Sequence, residues 1–189
     1  YLTHSIHRYS SKFIPQIAST LIENLSNEDD LILDCFSGSG TTLVEANLLK
    51  RHSYGLDINP LACLISKVKV TSIKKKLLKS EISKFLIKTN KDIENNSLKN
   101  KSKKEIEESE EKLRRWYFEE NFEELEIIKK NIEKIPDQNI SDLALVSFSE
   151  ILRRCSKASS SYPNLMIDKK RKPISSVMKV FERRLEVNV

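Results

Sequence analysis

Glycine is scarce in this chain: there are three in 189 residues, all between Gly38 and Gly55. A sequence so poor in glycine keeps it where a side chain would obstruct something. Cysteine is equally sparse. Cys35, Cys63 and Cys155 stand at irregular spacing, which makes neither a disulfide framework nor a zinc site. They read as small buried residues in a reducing compartment. The three histidines, His4, His7 and His52, lack metal-ligand spacing, so no metal site is expected. No apolar run approaches the ~20 residues needed to span a bilayer, and no secretory signal is visible. A cytoplasmic protein without a membrane partner is therefore expected. The five prolines, Pro15, Pro60, Pro136, Pro163 and Pro173, are all isolated from one another.

Two of the glycines share one short turn, Asp34-Cys35-Phe36-Ser37-Gly38-Ser39-Gly40-Thr41-Thr42. The apolar run Leu31-Ile32-Leu33 leads into it, and a helical pattern through Leu43, Val44, Ala46 and Leu48 leads out. A strand, a glycine turn and a helix bring bare backbone N–H groups up against a nucleotide-like ligand. Further on, Tyr54-Gly55-Leu56-Asp57 reads as a second short strand ending in an acid. That acid stands near the ~20-residue offset expected of a ribose-binding carboxylate. A dinucleotide fingerprint fails at its third small residue, because position 43 is Leu. A phosphate-binding P-loop fails because Gly40 is followed by Thr41-Thr42 with no lysine. What remains is an adenosine-type ligand without a phosphate chain, its ribose hydroxyls donating to Asp57. Asp34, at the strand end, either takes an ammonium or orients the turn.

The turn resembles motif I of the S-adenosylmethionine-dependent DNA amino methyltransferases, whose usual form is Asp-Pro-Phe-x-Gly-Ser-Gly-Thr. Gly55-Leu56-Asp57-Ile58-Asn59-Pro60 is similar to that family's second motif. His7-Arg8-Tyr9-Ser10-Ser11-Lys12-Phe13-Ile14-Pro15 resembles the motif that closes over the methionine end of the cofactor. Cys35 stands where proline is usual, and Ser10-Ser11 replace a common Pro-Ala. The resemblance covers roughly the first 70 residues. It implies an α/β fold, a partial Rossmann-like methyltransferase core with a truncated parallel sheet. It assigns Lys12, Phe13 and Thr41 to the methionine portion of S-adenosylmethionine. By the same resemblance Phe36, Ser37, Gly38, Ser39 and Gly40 form the turn, Asp57 holds the ribose and Ile58 packs on adenine.

Methyl transfer to an exocyclic base nitrogen needs acceptors for its hydrogens and a stacking surface for the flipped base. The family supplies both with an Asp/Asn/Ser-Pro-Pro-aromatic tetrapeptide. No such tetrapeptide occurs here, and Ser161-Tyr162-Pro163-Asn164 reads as a turn, so no residue of this chain is expected to be catalytic. The start at Tyr1 and the ending at Val189 suggest a fragment, with the catalytic loop expected just downstream, or else upstream of Tyr1 or on a second chain. The expected function is the cofactor-binding part of an enzyme that methylates adenine N6 or cytosine N4 in double-stranded DNA, within restriction–modification. Two alternatives stay open: an RNA base methyltransferase, and a non-catalytic subunit that binds cofactor and DNA.

Beyond the core the composition changes. Residues 67–104 hold thirteen lysines against three acids, residues 105–135 eleven acids against six bases, and residues 150–189 ten bases against four acids. The compact run Lys169-Lys170-Arg171-Lys172 is the better candidate for phosphate contact; the longer lysine-rich stretch reads as a solvated face. Expected spans are 1–70 for the cofactor core, 71–160 for a long helical insertion and 161–189 for a basic segment. Within the core, Pro15 starts a helix whose Ile17, Leu21, Ile22 and Leu25 should cover the sheet, and Asn59 caps a helix running to about Val70. Further helices are predicted around Ile73–Leu86, Ile106–Tyr117, Phe122–Ile135 and Leu143–Cys155, the last capped near Ser141. Residues 88–104 read as a flexible break. The aromatic trio Trp116-Tyr117-Phe118 reads as packing rather than as a base-stacking platform.

Overall fold

In the computed structural model, residues 2–9, 13–97, 108–159 and 166–188 are described below. They form an α/β arrangement that is mostly helical, with one two-stranded parallel sheet. Contacts divide the chain between Ile73 and Lys74 into two units.

The first unit opens with a 3-10 turn over Leu2–Ser5, followed by α1 (Pro15–Leu25). Pro15 stands at the first helical position, where a missing N–H costs nothing. β1 (Leu31–Asp34) then pairs with β2 (His52–Gly55) in parallel, Leu31 opposite His52 and Asp34 opposite Gly55. Between them lies α2 (Thr41–Leu48), and after them comes α3 (Pro60–Val70). The second strand ends two residues before Asp57, so the acid predicted at a strand end stands instead in the turn beyond it. Asn59 caps α3 as expected, its side-chain oxygen accepting from the Leu61 N–H at 3.0 Å.

One buried cluster of this unit is Ala18, Ile22 and Ala46, with Ile32 and Leu49 packed on them, and Leu43, Val44, Ala62, Ile65 and Val68 are buried as well. Here the expectation for α1 needs correcting. Ala18 and Ile22 are the residues it buries, whereas Ile17, Leu21 and Leu25 are half or more exposed. One face of the sheet is likewise open among the described residues: Leu31, Leu33, Tyr54 and Leu56 are all more than half exposed. At the N-terminus, the His4 ring meets the Glu45 carboxylate of α2 at 2.7 Å, both side chains being buried.

The second unit consists of α4 (Lys75–Ser97), α5 (Glu108–Arg114), α6 (Glu119–Ile132), α7 (Gln138–Cys155) and α8 (Val177–Asn188). Residues 88–97, expected to be a flexible break, continue α4, while 98–104 lie outside the described residues. Phe85 and Thr89 explain the continuation, since both are buried and carry the packed face of the helix past position 88. Trp116 and Tyr117 stand beyond the end of α5 rather than on its face. The cap of α7 is Asp137, not Ser141: one carboxylate oxygen accepts from the N–H groups of Asn139 and Ile140, each at 3.0 Å. The segment Ser161-Tyr162-Pro163-Asn164 is outside the described residues.

Phe181 of α8 is fully buried and meets Phe85 and Phe148 edge-on, with ring centres 5.9 and 6.3 Å away. Buried Asn121 exchanges two hydrogen bonds with the main chain of Ile174, as a neighbouring strand would. Burial pushes the Cys155 thiol up to about 12. The expectation of three buried cysteines holds for Cys155 alone; Cys35 and Cys63 are exposed.

Candidate functional site

The turn after β1 is held by its own polar groups. The Asp34 carboxylate accepts from the Phe36 N–H at 3.1 Å, which is the orienting role among the two expected of it. The Leu56 N–H donates to the Asp34 carbonyl and the Ser37 N–H to the Leu56 carbonyl, both at 2.9 Å. This lacing ties the ends of β1 and β2 into one rim.

The glycines are explained by sterics. Gly40 has φ +79°, and a Cβ there would lie 2.6 Å from Ser66 Cβ and 2.9 Å from Ser66 Cα, inside α3. It lets two helices approach. Gly38 has φ +49° and more room, since a Cβ there would stand 3.6 Å from the Tyr9 ring, its nearest neighbour. Tyr9 reaches on toward Asn59, whose side-chain amide lies 3.5 Å from its hydroxyl. Tyr9 thus lies against the glycine turn.

Asp57 is the polar centre of the rim. Its Oδ2 accepts from the Gly38 N–H and its Oδ1 from the Asn59 N–H, each at 2.8 Å. A carboxylate has about four lone-pair positions, so each oxygen keeps one free. Around it opens a cleft of about 410 Å³ lined by Cys35, Phe36, Leu56, Asp57, Ile58 and Cys63, with Gly55 at its back. Phe36 is 91% exposed and Ile58 100% exposed, so two large apolar groups flank a carboxylate with nothing packed on them. Behind the rim, the hydroxyls of Ser37 and Ser39 are buried and have no hydrogen-bond partner among the described residues. A buried hydroxyl without a partner carries a cost of about 1–3 kcal/mol that a ligand or water relieves.

The structure thus gathers Phe36, Asp57 and Ile58 at one cleft and places Ser37, Gly38, Ser39 and Gly40 directly behind it. Thr41 is buried at the start of α2. Phe13 is not brought to the cleft; it lies in a separate groove with Ile17, Leu21, Leu25, Ile32 and Thr42. Lys12 is outside the described residues. Sequence reasoning missed Tyr9, Cys63 and the lining role of Cys35. Tyr9 could have been found as the aromatic of the stretch preceding the turn, whereas nothing in the sequence marks Cys63. Among the described residues no cluster of metal-ligating side chains occurs, and no helix is long and apolar enough to cross a membrane.

Residues 3–68 match a family described as DNA methylase, in keeping with the resemblance drawn from the sequence motifs. Among curated proteins, the chain is 30% identical to the Type II methyltransferase M.MjaII of Methanocaldococcus jannaschii over 167 residues, 88% of this chain and 31% of that protein. It is 32% identical to the Type II methyltransferase M.MvaI of Kocuria varians over 160 residues, 82% of this chain and 35% of that protein. The Type II methyltransferase M1.MboII of Moraxella bovis is 51% identical over 39 residues, 21% of this chain and 15% of that protein. The chain spans about a third of the length of the first two relatives, and their similarity extends well past the first unit. No solved structure matches it significantly.

Proposed function

We propose that this chain, a member of the DNA methylase family over residues 3–68, is the S-adenosylmethionine-binding part of a restriction–modification methyltransferase acting on the exocyclic amino group of adenine (N6) or cytosine (N4). A Rossmann-like core and a cytoplasmic location belong to the same reading. One observation supports it above the others. A carboxylate fixed by two main-chain N–H groups stands between two bare apolar side chains, beside a glycine turn with unpartnered hydroxyls.

These residues fit the cofactor. Asp57 would take the ribose hydroxyls on its free lone pairs, a charge-assisted contact. Phe36 and Ile58 would flank the adenine, and the Gly38–Gly40 turn with Ser37 and Ser39 would line the inner side. Lys12, Phe13 and Thr41 remain the candidates for the methionine end, with Tyr9 added from its place over Gly38. When bound, the cofactor supplies an electrophilic methyl group on a sulfonium. This chain's own residues bind and orient it. The acceptor for the amino hydrogens of the base falls to a segment or chain carrying the tetrapeptide that is missing here.

Titration calorimetry with S-adenosylmethionine tests the reading. Hydrogen bonds to a charged group contribute about 1.5–3 kcal/mol each, so Asp57→Asn should weaken binding by roughly tenfold or more. Asp57→Ala should abolish it. Unchanged affinity in both variants would remove Asp57 from the site, and no binding by the unaltered chain would sink the reading as a whole.

A further inference from the structure

Three stretches far apart in sequence meet just past the end of α7. The Lys157 N–H donates to the Trp116 carbonyl at 2.7 Å, and the Asp168 N–H donates to the Lys157 carbonyl at 2.8 Å. Ala158 and Ile167 form an antiparallel bridge. The Arg171 guanidinium donates to the Arg154 carbonyl at 2.6 Å and also to the Ala158 carbonyl. Residues 115–118, 157–159 and 166–172 are thus tied into one surface. The basic run and the aromatic trio, separate features in the sequence, are neighbours on it.

Several cations of the second unit are matched: Arg114 with Glu119 and Glu126, Lys129 with Glu133, Lys130 with Glu126, and Arg184 with Glu150. Arg115, Lys157, Lys169, Lys170 and Lys172 have no carboxylate in ion-pair reach among the described residues. Asp168, the acid among them, directs one oxygen to the Lys170 N–H at 2.9 Å. Two of the cations lie on aromatic faces: the Lys157 ammonium is 5.1 Å from the Phe118 ring centre, and the Arg115 guanidinium carbon 5.8 Å from that of Trp116. Arg171 differs, since its donors are engaged on main-chain carbonyls and it fastens the surface together.

Unneutralised cations held this close gather counterions, and a polyanion that displaces those counterions gains their release entropy. We propose that this surface binds the phosphate backbone of duplex DNA, with Lys169, Lys170 and Lys172 as the phosphate contacts and Trp116 at their edge. The choice of DNA over other polyanions rests on the reading of the chain as part of a DNA-modifying enzyme.

Trp116 is the only tryptophan in the chain, so its fluorescence reports on this surface alone. Titration of the full chain with a random duplex of about 20 base pairs should change that fluorescence and lose affinity steeply with salt. The triple variant Lys169→Gln/Lys170→Gln/Lys172→Gln should bind about tenfold more weakly and lower the salt slope by roughly 2–3, near 0.9 for each phosphate no longer neutralised. Replacing the same residues by Arg should preserve binding. The charge-matched control, Lys75→Gln/Lys76→Gln/Lys79→Gln, removes exposed lysines of α4, two of which share a cleft with Glu182 and Glu186; it should change affinity less than about threefold. Equal losses in the two triples, a silent Trp116, or clearly tighter binding of duplex RNA would each overturn the proposal. Calorimetry with S-adenosylmethionine on the same variant separates the two readings. Cofactor binding kept while DNA binding falls supports the surface; cofactor binding kept with DNA binding unchanged overturns the surface and leaves the cofactor site standing.

Discussion

Asp57 shows how a residue can be legible in a sequence while its surroundings are not. Its offset from the glycine turn makes it the expected ribose acceptor, yet that offset says nothing of the two N–H groups that hold it. The Asn59 bond is local, but the Gly38 bond depends on the turn after β2 folding back onto a residue 19 positions earlier in the chain. The cysteines show the reverse case. Composition alone favours burial for all three, but Cys35 and Cys63 line the cleft with Asp57, and only Cys155 is enclosed. Thiol reactivity follows the thiolate fraction and access. Burial raises the Cys155 pKa to about 12, so its thiolate is negligible near pH 8. N-Ethylmaleimide at that pH should therefore modify two thiols in the folded chain and three in denaturant, as counted by mass spectrometry. Saturating S-adenosylmethionine should slow both fast reactions, because Cys35 and Cys63 lie beside Phe36 and Ile58. Labelling indifferent to the cofactor would place it elsewhere. The sign for Cys155 is that of a raised acid: its burial favours the folded state below the ordinary thiol range, and that contribution is lost as pH rises toward 12.

At the level of elements, helix starts are the legible part. Pro15 and Asn59-Pro60 begin α1 and α3 where capping chemistry requires. Helix faces are less so. α1 packs through Ala18 and Ile22, and its larger apolar residues remain outside, because periodicity reports a stripe without saying which edge meets the core. The run of 88–97 misleads because lysines and asparagines dominate it. The few buried side chains, Phe85 and Thr89 among them, carry the helix on. The two turn glycines yield a prediction at this scale. Gly38→Ala meets only the left-handed backbone penalty, about 1–2 kcal/mol. Gly40→Ala adds a collision with the backbone and Cβ of Ser66 in α3, which overpacking data put at about 1–3 kcal/mol more. Hydrogen exchange of the α2 and α3 amides should accelerate far more in Gly40→Ala than in Gly38→Ala. Equal acceleration would mean that α3 yields to the added methyl.

For the molecule as a whole, the two strands among the described residues leave a parallel sheet with one face uncovered by those residues, although such sheets are ordinarily buried on both. The relatives are about three times as long as the span they share with this chain. The proposed reading is thus of half a chemistry: a cleft for a methyl donor, and among the 189 residues no adjacent prolines from which the base-holding tetrapeptide could be built. Differential stabilisation of the transition state requires groups that accept the amino hydrogens as the nitrogen attacks. On the proposed reading the free lone pairs of Asp57 go to the ribose, which leaves no such acceptor among the described residues lining the cleft. The chain by itself should bind S-adenosylmethionine in calorimetry and yet transfer no tritiated methyl group to unmethylated bacterial DNA over hours of incubation. Adding a polypeptide that bears an Asp/Asn/Ser-Pro-Pro-aromatic segment from a similar Type II methyltransferase should restore transfer, and Asp57→Ala in this chain should abolish the restored activity. Turnover by the chain alone would show that its own side chains can activate the base.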